Sequence, residues 1–238
     1  MDLSLINGYR GLRIPQRWGI VLLVCAVALY LAAAVSLTVE ASDHDALEGD
    51  VAVATAVQDT SAPGLSTIVH SLNWFGKPIP LAVLAGCISV ALVFTRRPWE
   101  ALLVLPTTFS HAINHFLKVT AESPRPTEQY VRITDPSAGF GFPSGHTMAT
   151  VVFCCVIAYV AWRVINHRTL RLAVQALAVA IVFGIGFSRI YSGAHWPSDV
   201  LGGVMWGMFY TAIMVAIFHR ARPMAQCRRR EAIVPVRA

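Results

Sequence analysis

Charge is what this chain has least of. Only 13% of its 238 residues are charged against 55% apolar, and the mean hydropathy of +0.58 excludes an ordinary soluble composition. Cysteine pairing is also missing. Cys25, Cys87, Cys154 and Cys155 lie in apolar runs and Cys227 in a basic tail, so no disulfide framework is placed in a polar external loop. The adjacent Cys154 and Cys155 read as small buried apolar residues. A metal site has little support: His111 and His115 have the i, i+4 spacing of two zinc ligands, but no glutamate sits beside the first and no third ligand is evident. There is no internal repeat and no low-complexity linker, so 1–238 is read as one transmembrane domain.

What the chain does have is long apolar runs. The clearest, Gly19 to Val39, is long enough to cross a hydrocarbon core of roughly 30 Å at about 1.5 Å per residue. A signal peptide would have a shorter apolar core of about 7–15 residues, so the run is read as a retained anchor, although Val39-Glu40-Ala41 would serve as a cleavage triplet. The expected architecture is all-α, an integral membrane six-helix bundle with spans over about 18–39, 78–95, 100–118, 145–165, 170–188 and 198–218. Pro78 and Pro80 open the second span, Arg96-Arg97-Pro98 closes it, and Pro106 interrupts the third, where a membrane helix can tolerate it.

Six spans put both termini on one side, and the basic residues test that count. Fourteen of the nineteen Lys and Arg fall on the terminal side, which the positive-inside rule makes cytoplasmic, and this orientation accounts for the net charge of +6 without nucleic acid. The five exceptions are Lys77, Lys118, Arg125, Arg132 and Arg189. Acids go the other way, with Glu40, Asp43, Asp45, Glu48, Asp50 and Asp59 in the external segment 40–77. Its stretch 65–75 is amphipathic and is expected to lie partly on the membrane surface. The tail 219–238, with Arg228-Arg229-Arg230, suits anionic headgroups at the cytoplasmic face.

Three of the five external cations belong to stretches that also carry histidine, serine or carboxylate. In the third helix His111, Asn114 or His115, and Lys118 recur at three- and four-residue spacing, so they share a face that leads away from lipid to Lys118. Arg125-Pro126 follows in a proline-broken loop, where a guanidinium can meet phosphate oxygens bidentately. Pro143-Ser144-Gly145-His146 opens the fourth helix: Ser144 can cap it, Gly145 lets backbone approach closely, and free N–H groups at the positive helix end suit an anion. His146 is an imidazole beside that anion pocket and can donate a proton near neutral pH. Last comes Ser188-Arg189 through His195 to Asp199. Pro197 suits a first helical turn, which sets Asp199 one turn beyond His195. Such a carboxylate can take the proton on one imidazole nitrogen and leave the other free to attack phosphorus.

The order KxxxxxxRP at 118–126, PSGH at 143–146 and SRxxxxxHxxxD at 188–199 resembles the type 2 phosphatidic acid phosphatase superfamily, which includes membrane lipid phosphatases and the soluble vanadium haloperoxidases. The resemblance implies that His195 is the nucleophile forming a phosphohistidine, that Asp199 orients it, and that His146 protonates the leaving oxygen. It implies that Lys118, Arg125 and Arg189, helped by Ser144 and the Gly145 N–H, hold the phosphoryl oxygens, with no cofactor and no metal required. The expected substrate is a lipid phosphate monoester or diphosphate at the external leaflet of the bilayer. Phosphatidate, phosphatidylglycerophosphate and polyprenyl diphosphate all offer the same phosphoryl end, with the last two favoured by analogy alone. A lipid phosphotransferase would share the first half of the chemistry. A transport or lipid-binding scaffold would need no ordered nucleophile, acid and carboxylate.

Overall fold

The structure, a computed structural model, describes residues 16–43 and 46–231, with side chains over 21–43 and 46–222. Arg10, Arg13, Asp45 and Arg237 lie outside the described residues, as do the side chains of Arg17, Cys227 and Arg228 to Arg230. Among the described residues the chain is all-helical: α1 (Gln16–Asp43), α2 (Asp50–Gln58), α3 (Leu65–Phe75), α4 (Pro78–Phe94), α5 (Pro98–Val104), a 3-10 turn (Leu105–Phe109), α6 (Ser110–Ala121), α7 (Gly145–Val164), α8 (Arg168–Tyr191) and α9 (Pro197–Glu231). The contacts divide the chain after Ser36, so the first part of α1 is one unit and everything from Leu37 onward the other.

Among the described residues four helices are long and apolar enough to cross a membrane, in α1, α7, α8 and α9, and α3 with α4 makes a fifth when that pair, bent by 65°, counts as one span. The expected second span is α4, with Pro78 and Pro80 in its first turn and a stop just before Arg96. The expected third span over 100–118 is not one regular helix. Pro106 has no N–H to give and its ring crowds the preceding turn, and the chain passes through five residues of 3-10 helix between α5 and α6.

α7 is the central helix of the second unit. It packs on α8 and α9 along its length and also touches α4, α5 and α6. Met148, Val151, Val152 and Val156 are fully buried. Apolar burial alone does not hold helices together in lipid, because the acyl chains are as apolar as the core; close packing must do it. The α7–α9 contact shows how. Gly203 and Gly207, four residues apart on α9, sit so close to α7 that a Cβ would lie 2.8 Å from Ser144 O and 3.0 Å from Met148 O respectively. The outward faces carry large exposed apolar side chains, among them Val83, Phe94, Leu177 and Phe183, as lipid contact requires. At the end of the bundle away from Ser144, buried Glu100 of α5 pairs with Arg163 of α7 at 3.5 Å and Arg222 of α9 at 3.6 Å.

Within 46–77 the chain forms two short helices, α2 and α3. Asp50, at the start of α2, is buried and accepts from Ser198 N at 2.9 Å and Ser198 Oγ at 2.6 Å, so its carboxylate satisfies one orphan backbone donor in the first turn of α9. α3 lies on α8 and buries Val69 and Asn73.

Candidate active site

Four helix ends meet at one level of the fold: α6 and α8 end there, α7 and α9 begin there. Each brings part of a motif. Lys118 lies in the last turn of α6, Gly145 opens α7, Arg189 lies in the last turn of α8, and Pro197 starts α9 two residues before Asp199.

His195 and Asp199 are 3% and 0% exposed. Asp199 Oδ2 lies 3.1 Å from His195 Nδ1 and accepts from Trp196 N at 3.0 Å, which fixes the carboxylate against the ring. On the ring's far edge, Nε2 lies 3.4 Å from Arg125 Nη1. A guanidinium has only donors, so the lone pair belongs on Nε2 and the proton on Nδ1, facing the carboxylate. Burial first, and then the charges of Lys118, Arg125 and Arg189, push the His195 pKa well below the usual imidazole value. The ring is therefore neutral, with its lone pair directed at a cluster of cations. That is the condition for a nitrogen nucleophile toward an anionic ester.

All three cations of the motifs converge there, and in this structure a single loop occupies them. Lys118 Nζ donates to Phe140 O at 2.6 Å and Gly141 O at 2.7 Å. Arg125 donates to Ala138 O, Gly139 O and Ala194 O at 3.3, 2.8 and 2.7 Å. Arg189, only 1% exposed, holds Asp135 at 2.8 Å and reaches Ser137 Oγ at 3.5 Å. Each cation thus faces oxygens from residues 135–141, much as it would face phosphoryl oxygens.

Ser144 stands directly before α7 as expected, but its hydroxyl makes no cap bond. Its Oγ instead accepts from the Thr147 hydroxyl at 3.1 Å, and its N–H donates to Asp199 O at 2.9 Å, tying α7 to α9. The first turn of α7 therefore keeps backbone N–H groups free of a side-chain cap, which suits an anion. Gly145 is required by space: a Cβ there would lie 2.8 Å from Asn114 Oδ1, and Asn114 holds Pro143 O at 3.1 Å. His146 is half-buried, and its Nε2 has no hydrogen-bond partner among the described residues. On the inner face of α6, Asn114 is buried and His111 and Lys118 half-buried, whereas His115 turns out to the exposed side.

Sequence reasoning missed three residues at this site. Asp135 is the carboxylate paired with Arg189; its signal was an external acid lying between the first two motifs. Asn73 donates to Asp135 Oδ2 at 3.4 Å and accepts from Ser188 Oγ at 2.8 Å; a polar residue on the buried face of an amphipathic helix was the sign. Asp50 carried no local signal, because its partner Ser198 is 148 residues away.

A family model described as the PAP2 superfamily matches residues 99–223, more than half of the chain. The chain belongs to the PAP2 superfamily. All three motifs fall inside the PAP2 match, while α1 to α4 lie before it. Among individual proteins, the chain is 29% identical to phosphatidylglycerophosphatase B of Bacillus subtilis over 67% of this chain and 78% of that protein. It is 30% identical to decaprenylphosphoryl-5-phosphoribose phosphatase of Mycobacterium tuberculosis over 71% of this chain and 90% of that protein. The crystal structure of a PAP2 type phosphatidylglycerolphosphate phosphatase from Bacillus subtilis superposes with a TM-score of 0.65, covering 90% of this chain and 98% of that one at 24% identity, a likeness of fold. With its several apolar helices, this PAP2 protein is a multi-pass membrane protein.

Proposed function

We propose that this chain is a metal-independent lipid phosphatase whose site lies on the external face of the cell membrane, built within a single transmembrane domain of six crossings. The observation that carries the reading is the neutral His195, backed by Asp199 on Nδ1 and presenting Nε2 to Arg125 among three cations. The phosphoryl group of a lipid phosphate monoester or diphosphate takes the place of loop oxygens on Lys118, Arg125 and Arg189. Nε2 attacks phosphorus, the bond to the lipid oxygen breaks, and His146 gives that oxygen its proton. Asp199 balances the positive charge the phosphorylated ring acquires. Water then attacks the phosphohistidine, returns a proton to His146 and releases inorganic phosphate. The cations supply the electrostatic stabilisation of the developing charge. The two relatives, a phosphatidylglycerophosphatase and a decaprenylphosphoryl-5-phosphoribose phosphatase, support this class of substrate.

Purified protein in detergent with a chelator is expected to release phosphate from at least one of phosphatidate, phosphatidylglycerophosphate and undecaprenyl diphosphate; release from none overturns the reading. The acid limb of its kcat/KM is set by protonation of Nε2. Because the His195 pKa is pushed down, the ring stays unprotonated as pH falls, so the limb due to this ring lies below the ordinary imidazole value of about 6.5. Orientation is checked separately: a tag at either terminus should be reached in intact cells only after permeabilisation, and labelling without it would invert the topology.

A further inference from the structure

Of the five external basic residues, Lys77 and Arg132 belong to none of the three motifs. The fold nevertheless brings both to one cavity of about 390 Å³, which His70, Asn73 and Asp135 also line. Among the described residues neither cation is ion-paired. Arg132 donates one guanidinium nitrogen to the Gln58 carbonyl, which steadies the group but leaves its charge unmatched. Asp135 is the one carboxylate lining the cavity, and it is held by Arg189. A lysine at a membrane border often does no more than reach for water. That account covers Lys77 alone, not the arrival of Arg132 from a segment 55 residues later at the same cavity.

The position of the cavity relative to the reacting groups gives it meaning. Asp135, on its wall, is 2.8 Å from Arg189, so the cavity shares a boundary with the phosphoryl cradle. Lys77 follows Gly76 at the bend between α3 and α4, and a Cβ on Gly76 would lie 3.0 Å from His146 Cδ2. The cavity therefore adjoins the cradle beside His146, the group placed on the leaving oxygen. In a displacement at phosphorus the leaving oxygen departs opposite the attacking Nε2 of His195. Whatever occupies the cavity is then part of the leaving half of the substrate.

We infer that this cavity is a second anion subsite, in which Lys77 and Arg132, with His70 and Asn73, hold a phosphate carried by the leaving group. The inference rests on the phosphatase reading above and narrows its substrate to lipids with a phosphate beyond the scissile one. Two sources have this chemistry: the inner phosphate of a lipid diphosphate, and the phosphodiester of a glycerophospholipid headgroup. Phosphatidate, whose leaving group is neutral, leaves the subsite without an anion. His70, Asn73 and Lys77 lie before the segment matched by the family model, so of the four subsite residues only Arg132 falls inside that match.

The test compares wild type with Lys77→Met, Arg132→Met and the double variant on undecaprenyl diphosphate, phosphatidylglycerophosphate and phosphatidate. Both side chains are exposed, so the fold should survive; a thermal melt checks it, and Lys77→Arg and Arg132→Lys should restore most of the lost rate. Loss of charge-assisted hydrogen bonds to a phosphate should lower kcat/KM of the double variant at least about tenfold on a substrate with a second phosphate, and less than about threefold on phosphatidate. A selective loss on the diphosphate assigns the inner phosphate as occupant; a selective loss on phosphatidylglycerophosphate assigns the diester. Equal losses on all three lipids, no loss on any, or wild-type activity on phosphatidate alone would overturn the subsite. Absence of wild-type phosphate release from every lipid is a different result, and it removes the phosphatase reading itself.

Discussion

His195→Ala is expected to abolish phosphate release, lowering kcat by at least about 10⁴-fold, a loss of the size seen when a covalent nucleophile is removed elsewhere. The two edges of the His195 ring have different surroundings. Nδ1 is committed to Asp199 at 3.1 Å, and Nε2 faces the Arg125 donor at 3.4 Å with its lone pair toward the cation cluster. Alanine removes that lone pair and leaves the rest of the cradle in place. Lys118, Arg125 and Arg189 remain to bind the phosphoryl group, so affinity for inorganic phosphate should change little while turnover disappears. The fold should tolerate the change, because Asp199 Oδ2 keeps the Trp196 N–H; losing one buried hydrogen bond costs about 1–3 kcal/mol. Wild type quenched during turnover of a phosphorus-labelled substrate should carry an acid-labile, alkali-stable label that the variant lacks. Wild-type turnover in His195→Ala would sink the nucleophile assignment, and turnover without a trapped label in wild type would replace it with base-assisted attack by water.

The motif residues were legible because an apolar chain leaves charged side chains few explanations. Lys118, Arg125 and Arg189 stood out as exceptions to an otherwise consistent charge asymmetry, and the fold brings them to His195 and Asp199. What surrounds them was hidden for physical reasons. The oxygens that hold Lys118 and Arg125 are backbone carbonyls of Ala138 to Gly141, which every residue carries and no sequence pattern marks. The Arg189–Asp135 pair spans 54 residues, and its half-exposed carboxylate, at 45%, resembles any solvated loop acid until the fold is known. Helix positions were clear where apolar runs were long, as in α7 and α8. Over 100–118 the apolar run does not reveal that the helix is divided at Pro106 into α5, a 3-10 turn and α6. The glycine pair Gly203 and Gly207 was visible as spacing but acquires its role only beside α7.

Asp199→Asn should lower kcat by about 10³- to 10⁴-fold while inorganic phosphate binds at least as tightly as in wild type. Two effects of the substitution must be separated. An amide could present its NH₂ to Nδ1, moving the imidazole proton to Nε2 and destroying the lone pair. The Trp196 N–H opposes that orientation, since the atom it bonds at 3.0 Å is the same Oδ2 that faces Nδ1, and an oxygen is retained there. The tautomer therefore survives, and the loss comes chiefly from charge. A phosphorylated imidazole is cationic, and beside Lys118, Arg125 and Arg189 it forms only if a carboxylate balances it. The neutral amide does not. The same deletion of one negative charge leaves the cradle more positive in the resting state, which is why the product anion should bind no more weakly and compete better. A merely structural role for Asp199 gives the opposite pairing: turnover and phosphate affinity would fall together, with a lowered melting temperature. Measuring the inhibition constant for inorganic phosphate alongside kcat distinguishes the two, and a parallel loss of both would remove Asp199 from the proposed chemistry.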